Sequence, residues 1–95
     1  MKLRLGTRGS ALAKTQSGIV ADWLRARGVT EVDVVGIATD HCVRATAVDA
    51  TQEGFTTRVL LDLTAGVAAE TTQSALEQMR DNGVDLVGAP HVAAP

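Results

Sequence analysis

Aromatic side chains are nearly absent from this chain, which has one Trp, one Phe and no Tyr. Proteins that bind single-stranded nucleic acid stack the bases on such rings, and the net charge of −2 would not attract a polyanion. We therefore expect no nucleic-acid partner and no attraction to acidic membranes. The core must instead be aliphatic, drawn from the 45% of residues that are hydrophobic.

Cysteine is limited to one residue, Cys42, so no internal disulfide can form. A chain without disulfides fits a reducing compartment. No apolar run approaches the roughly 18 residues that a membrane-spanning helix needs. No apolar segment follows Lys2 and Arg4, so we expect no signal peptide. These features predict a cytoplasmic protein without a membrane partner.

Strand and helix patterns alternate along the whole sequence. They predict strands at 2–5, 31–37, 57–63 and 84–87, and helices at 11–27, 42–52 and 69–81. The order β-α-β-α-β-α-β requires a four-stranded parallel sheet in a single α/β domain over residues 1–95. Trp23 and Leu24 recur at helical spacing in the first helix and are predicted to face the core. Residues 89–95 have no period, so we expect a loose tail there.

Strands two and three are apolar on both sides apart from Asp33, which is typical of strands covered on both faces. When strands pair in chain order, however, each right-handed crossover puts its helix on the same side of the sheet. The other side, with Val35, Ile37 and Leu60, would then be bare. An exposed apolar patch of this kind predicts self-association through the uncovered sheet face.

The stretch 32–47, VDVVGIATDHCVRATA, places the single cysteine shortly after a buried strand. A strand that ends in a tight turn and leads into a helix sets that turn at the carboxyl edge of the sheet, where open α/β folds bind ligands. A thiol at a helix start also meets unpaired N–H groups, which favour the nucleophilic thiolate. Cys42 is therefore a candidate nucleophile, and the alternative is a small buried hydrophobic residue. Asp40 and His41 of the same turn are candidate ligand-binding residues.

GIATDHCVRATAVDA, then RVLLDLTAGVAAETTQSALEQM and GVDLVG, resemble the C-terminal half of nicotinamidase/pyrazinamidase, a family of isochorismatase-like cysteine hydrolases, over about 21–88. The resemblance implies a Rossmann-like half domain that hydrolyses a small aromatic amide such as nicotinamide. It implies that Cys42 is acylated by the substrate. It also implies an oxyanion hole from the N–H groups of Ala38 and Cys42, with a cis peptide bond between Ile37 and Ala38.

LRLGTRGSALAKTQSGIVADWLRA, by contrast, resembles the first strand and helix of porphobilinogen deaminase (hydroxymethylbilane synthase), so we expect a deaminase-like β-α unit over 1–28. In that family this region helps to hold the acidic side chains of a dipyrromethane cofactor. The matching positions are Arg8, Ser10 and Gln16, which we predict to bind an anion, since an arginine at a helix start suits a carboxylate. Arg8 is also expected to stand near Cys42.

The nicotinamidase-type mechanism further uses an aspartate base, a lysine and a metal site of Asp and His residues, all from the half of that family which this chain does not match. His41 and His91 have no metal-ligand spacing, so we expect no metal ion and no cofactor. Three hypotheses follow. The chain is a truncated amidohydrolase fragment with impaired turnover, an anionic-ligand binding module, or a folded composite without function.

Overall fold

The computed structural model describes the backbone of residues 1–7 and 17–92 and the side chains of residues 1–6 and 21–92. Strands and α-helices alternate in this part of the chain: β1 (Lys2–Thr7), α1 (Ser17–Ala26), β2 (Glu31–Ile37), α2 (Arg44–Gln52), β3 (Thr56–Gly66), α3 (Ala69–Asp81), β4 (Asp85–Val87) and β5 (His91–Val92). One turn of π-helix, Thr39–Val43, lies between β2 and α2. No helix among the described residues has both the length and the apolarity to span a membrane.

The described strands form one parallel sheet in which β1, β2, β3 and β4 pair in chain order. The predicted α/β fold with a parallel sheet is therefore confirmed. The register is regular as far as Val34, which pairs with Val59, whereas Gly36 pairs with Thr64. Two residues of β2 thus advance against five of β3, so β3 carries three extra residues in a bulge next to the carboxyl edge.

The inner face of the sheet carries the helices and the core. Alternation along each strand places Val32, Val34, Val59 and Leu61 on this face, where all four are buried. The helices contribute small and aliphatic side chains, namely Ala21 and Leu24 from α1, Ala47 and Val48 from α2, and Ala75 and Met79 from α3. The core is aliphatic apart from Phe55, the one phenylalanine of the chain, which is buried in it.

The outer face of the sheet, opposite the helices, lies uncovered by any described element. It is formed by alternate residues of four strands, namely Lys2, Arg4, Gly6, Glu31, Asp33, Val35, Arg58, Leu60, Asp85 and Val87. The apolar residues are partly open, and Val87 is 42% exposed. The prediction of a bare sheet face is confirmed for the described residues, because strands in chain order send each crossover to one side. Self-association through this face stays a prediction.

Asp33 is the one buried carboxylate of the outer face. Arg58 donates to both of its oxygens, over 3.1 Å from Nε and 2.9 Å from Nη2, and Lys2 Nζ lies 3.9 Å away. The hydrogen bonds from Arg58 hold the pKa of Asp33 below its usual value, against the opposing effect of burial, with further help from the nearby charges of Arg58, Lys2 and Arg4. The buried charge is thus paired.

Trp23 corrects one prediction, because its side chain is 54% exposed and does not face the core. Ala21 and Leu24 fill the space between α1 and the sheet, so Trp23 lies at the edge of the apolar stripe. Its ring is covered instead by the guanidinium of Arg27, whose Cζ lies 3.6 Å from the ring centroid. A cation over an indole face stabilises such an exposed position.

The predicted loose tail is also wrong in part, because His91–Val92 form β5 and pair with Ala65 and Gly66 of β3. The cause is Asp62, whose Oδ1 accepts a hydrogen bond of 3.0 Å from the amide of Ala89. Gly88 has a φ of 82°, and a Cβ there would lie 2.5 Å from the same oxygen. Only glycine fits this approach, which turns the chain back along β3. Residues 93–95 lie outside the described part.

Gly66 marks the closest approach of α3 to the sheet. A Cβ at this position would overlap Oγ1 of Thr72, a buried residue in the first turn of α3. Cβ and Cγ2 of Thr72 lie 3.1 Å from the same point, so rotating the hydroxyl away does not clear the space. The missing side chain at Gly66 therefore sets how closely α3 packs at the carboxyl edge.

We predict that Gly66→Ala lowers the free energy of unfolding by about 1–3 kcal/mol, as overpacking of a tight contact does. Gly6→Ala is the matched control, because Gly6 is also a strand glycine and a Cβ there meets nothing within 4 Å. It should be neutral or stabilise by up to about 1 kcal/mol. Urea unfolding of both variants measures the difference. Equal effects would contradict the assigned role of Gly66.

Candidate active site

Cys42 lies at the carboxyl edge of the sheet, in the π-helical turn that follows β2. The bond between Ile37 and Ala38 is a cis peptide, as the resemblance implied. The thiol is partly exposed, which places it between solvent and the core. The predicted helix start at Cys42 is wrong in detail, because the helical backbone already begins at Thr39 and becomes α-helical only at Arg44.

The carbonyl of Ala38 organises this turn. It accepts hydrogen bonds from the amides of His41, over 3.1 Å, and Val43, over 3.0 Å. Cys42 lies between these two residues. The backbone around the thiol is therefore held by bonds on both sides of it, and its orientation relative to Ala38 is fixed locally.

Thr39 ties the turn to β3 through buried hydroxyl groups. Its Oγ1 donates to Oγ1 of Thr64 over 2.8 Å, and Thr64 Oγ1 donates in turn to the carbonyl of Leu61, also over 2.8 Å. Both threonines are almost fully buried. Because buried hydroxyl groups without partners are costly, this chain of bonds couples the turn to the bulge of β3.

Asp40 connects the same turn to α3. The residue is 3% exposed. Its carboxylate accepts hydrogen bonds from the amide of Val67, over 3.1 Å, the amide of Ala68, over 3.4 Å, and the hydroxyl of Thr71. Ala68 is the N-cap residue of α3 and offers no side chain of its own. Asp40 thus binds the two amides that lead into α3 and the Thr71 hydroxyl of its first turn, and it places its charge at the positive end of that helix.

The pKa of Asp40 follows from this arrangement. Burial alone would raise it, but the hydrogen bonds from Thr71 and from the amides of Val67 and Ala68 together outweigh burial and hold the pKa below its usual value. The residue is therefore a carboxylate at neutral pH. With both oxygens occupied beneath α3, it faces inward and does not reach the surface where a ligand would bind.

His41 is the exposed member of the turn. Its side chain is 58% exposed, and Nε2 lies 3.8 Å from Oδ2 of Asp40, a contact that becomes an ion pair when the imidazole is protonated. This geometry brings His41 beside Asp40 and leaves one side open to solvent. His41 is thus accessible to a ligand, and its ligand-binding role stays a prediction.

Three predicted site residues, Arg8, Ser10 and Gln16, lie outside the described residues, as does the expected approach of Arg8 to Cys42. Sequence reasoning missed a different set, which contains Thr39, Thr64, Thr71 and Arg44. Arg44 Nε donates to the carbonyl of Asp40 over 3.1 Å. One signal was available for Asp40, since a helix whose N-cap is alanine needs a capping group from elsewhere in the chain.

A cleft of about 150 Å³ opens at the opposite edge of the sheet, lined by the first residues of four strands, Lys2, Glu31, Thr56 and Asp85, among others. It lies at the amino ends of the strands, away from Cys42. Parallel α/β sheets bind ligands outside the carboxyl ends of their strands. The turn that contains Cys42, and not this cleft, is therefore the candidate active site.

Residues 7–90 match the family described as the isochorismatase domain. The nicotinamidase/pyrazinamidase of Mycobacterium tuberculosis is 70% identical over 66 residues, which are 70% of this chain and 36% of that protein. The chain thus spans about a third of the length of this curated relative. The family match covers residues 7–90 and therefore includes most of residues 1–28. The resemblance of residues 1–28 to porphobilinogen deaminase stays a prediction from the sequence.

Solved structures agree with the fold. The pyrazinamidase of Pyrococcus horikoshii, described in complex with zinc, superposes with a TM-score of 0.69 at 43% identity, over 72% of this chain and 38% of that one. The yeast nicotinamidase bound to the inhibitor nicotinaldehyde gives a TM-score of 0.67 at 30% identity, over 72% and 32%. Both likenesses cover the larger part of this chain.

We predict that Asp40→Asn lowers the free energy of unfolding by about 2 kcal/mol at neutral pH, because hydrogen bonds to a charged group are lost. Asp81→Asn, at an exposed carboxylate in the last turn of α3, is the matched control and should change stability by less than about 0.5 kcal/mol. Denaturant unfolding of both variants at one pH checks the comparison.

The same pair of proteins tests the direction of the pKa shift. Because the folded pKa of Asp40 is lowered, its stabilisation is fully present above the unfolded value of about 3.9 and is lost as pH falls through the folded value. The stability gap between wild type and Asp40→Asn should therefore narrow below about pH 4. A gap that stays constant, or widens in acid, would contradict this account.

Proposed function

The chain belongs to the isochorismatase domain family, and from that premise we propose that it carries the nucleophile of an amidohydrolase site for nicotinamide-like carboxamides. One observation supports this most strongly. The partly exposed thiol of Cys42 lies at the carboxyl edge of a parallel sheet, in a turn whose backbone is fixed by Ala38 and by the buried side chains of Thr39 and Asp40. Such rigidity is what a positioned nucleophile needs.

The proposed step is attack of the Cys42 thiolate on the carbonyl carbon of the amide. A carbon–sulfur bond forms, the carbon–nitrogen bond breaks, and the NH2 group takes up one proton and leaves as ammonia. Water then attacks the thioester, which releases the carboxylic acid and restores the thiol. The N–H groups of Ala38 and Cys42 are the proposed donors to the oxyanion.

Proton transfer is the part of this reaction for which the described residues give least support. Asp40 is not placed as a base, because its oxygens bind Val67, Ala68 and Thr71. The Pyrococcus relative is described in complex with zinc. The described part of this chain has no group of three or more His, Cys, Asp or Glu side chains suited to hold a metal ion, so the residues do not fit one and no step is assigned to it.

We therefore propose a site that forms covalent adducts but turns over poorly. Loss of one member of a catalytic unit commonly lowers the rate by roughly 10⁴-fold or more. The thiol and the oxyanion donors can be tested without proton transfer to a leaving group, since an aldehyde adds a thiol to give a thiohemiacetal and loses no atoms.

Nicotinaldehyde, the inhibitor described with the yeast relative, is the suitable probe. We predict that it slows alkylation of Cys42 by iodoacetamide, measured by intact mass, more than it slows alkylation of free cysteine under the same conditions. Cys42→Ala identifies any alkylation at other sites. Absence of protection by nicotinaldehyde, or equal protection of free cysteine, would contradict the proposed site.

Turnover is the second arm of the same experiment. Ammonia release from nicotinamide by the wild-type chain should not exceed that by Cys42→Ala. Ammonia release that depends on Cys42 would support Cys42 as the nucleophile but would overturn the proposed impairment. It would also show that this chain contains the groups needed for proton transfer.

A further inference from the structure

The outer face carries an ordered row of charges that crosses the whole sheet. The register pairs Arg4 with Asp33, Asp33 with Arg58, and Arg58 with Asp85. Each of these residues comes from a different strand, so the row reads positive, negative, positive, negative from β1 to β4. The two end members, Arg4 and Asp85, are exposed on the edge strands.

The next outward row of the same face is apolar. It consists of two register pairs, Gly6 with Val35 and Leu60 with Val87, which lie on either side of the register shift between β2 and β3. None of them belongs to the core on the inner face. Gly6 leaves a gap at one end, because a Cβ there would meet nothing within 4 Å, whereas Val87 projects at the other end with 42% exposure.

These two rows are complementary to themselves, and we propose that a second copy of this chain docks on the outer face about a two-fold axis parallel to the strands. Such an axis reverses the order of strands between the copies. Arg4 then faces Asp85 of the other copy, and Val87 faces the gap at Gly6. Asp33 faces Arg58, and Val35 faces Leu60.

The alternative face-to-face arrangement is disfavoured by charge. A two-fold axis perpendicular to the strands keeps the strand order, so Arg4 would face Arg4 and Asp85 would face Asp85. Like charges opposed across an interface suppress that pairing. Both axes keep the strands of the two sheets aligned, the usual geometry for packed sheets about 10 Å apart, so the charges alone select the parallel axis.

The size of the face sets the expected strength. Four strands at about 4.8 Å spacing, with about seven residues at 3.3 Å each, give roughly 450 Å² in projection per copy. A standard stable interface uses about 800 Å² per partner. The dimer is therefore weak, and its population depends on protein concentration.

Charge reversal at the two ends of the row tests the axis directly. We expect sedimentation equilibrium to show a monomer–dimer equilibrium for the wild type. Arg4→Glu alone and Asp85→Arg alone should each weaken it about tenfold, because each creates two repulsive contacts by symmetry. The double variant should restore it. Arg80→Glu, an equal charge change on the exposed side of α3, is the control and should leave dimerisation unchanged.

Restoration in the double variant separates the dimer from effects within one copy. Arg4→Glu sets a like charge beside Asp33, and Asp85→Arg sets one beside Arg58 of the same copy. The free-energy costs of these two repulsions add in the double variant, whereas its contacts between copies are again between opposite charges. Gly6→Val gives a second test that keeps the monomer intact, since the new side chain points into open space and blocks only the partner's Val87.

Several results would overturn the proposal. A wild-type chain that stays monomeric up to its solubility limit would do so, as would a double variant no better than either single variant. Association that neither Arg4→Glu nor Asp85→Arg changes would point to the perpendicular axis instead, because each reversal leaves a like-charge pair there. Unchanged association of Gly6→Val would show that the copies do not meet through this row.

Discussion

The Asp40 carboxylate joins the turn that contains Cys42 to the start of α3. The turn with Cys42 follows β2, and α3 begins at the end of β3 with an alanine at its N-cap. Asp40 accepts hydrogen bonds from the amides of Val67 and Ala68, which lie just before α3, and from the hydroxyl of Thr71 in its first turn. Since a buried carboxylate must be paired, the turn cannot shift without exposing a charge and the helix start together.

The other features of the carboxyl edge depend on this contact. Gly66 lets α3 approach closely enough for Asp40 to reach it, and Thr64, two residues earlier in β3, binds Thr39. The result is a rigid frame around a thiol that remains partly open. On the opposite side of the sheet, no described helix covers Asp33 and Arg58, and the charges there compensate one another across strands. One sheet thus carries the proposed nucleophile at its carboxyl edge and the proposed docking surface on its outer face.

Much of the architecture could be predicted from the sequence, because strand and helix periods are strong and a parallel sheet follows from their alternation. The location of Cys42 at the carboxyl edge follows from the same reasoning. The helical spacing of the apolar residues included both Trp23 and Leu24. It could not show that only Leu24 is buried, since the width of the buried side of α1 depends on the sheet that covers it. Likewise β5 depends on Asp62, more than twenty residues earlier in the chain. The capping role of Asp40 required the same kind of long-range contact, although Ala68 gave a local hint.

Amide hydrogen exchange in wild type and Asp40→Asn tests the central constraint most directly. The account predicts that the substitution speeds exchange in the turn 39–43 and in the first turn of α3 together, while Val34 and Val59 in the strands keep their protection. Loss of exchange protection in those two segments together, and nowhere else, would identify Asp40 as the link between the turn with Cys42 and α3. Faster exchange in α3 with an unchanged turn, or a uniform change over the whole chain, would contradict it.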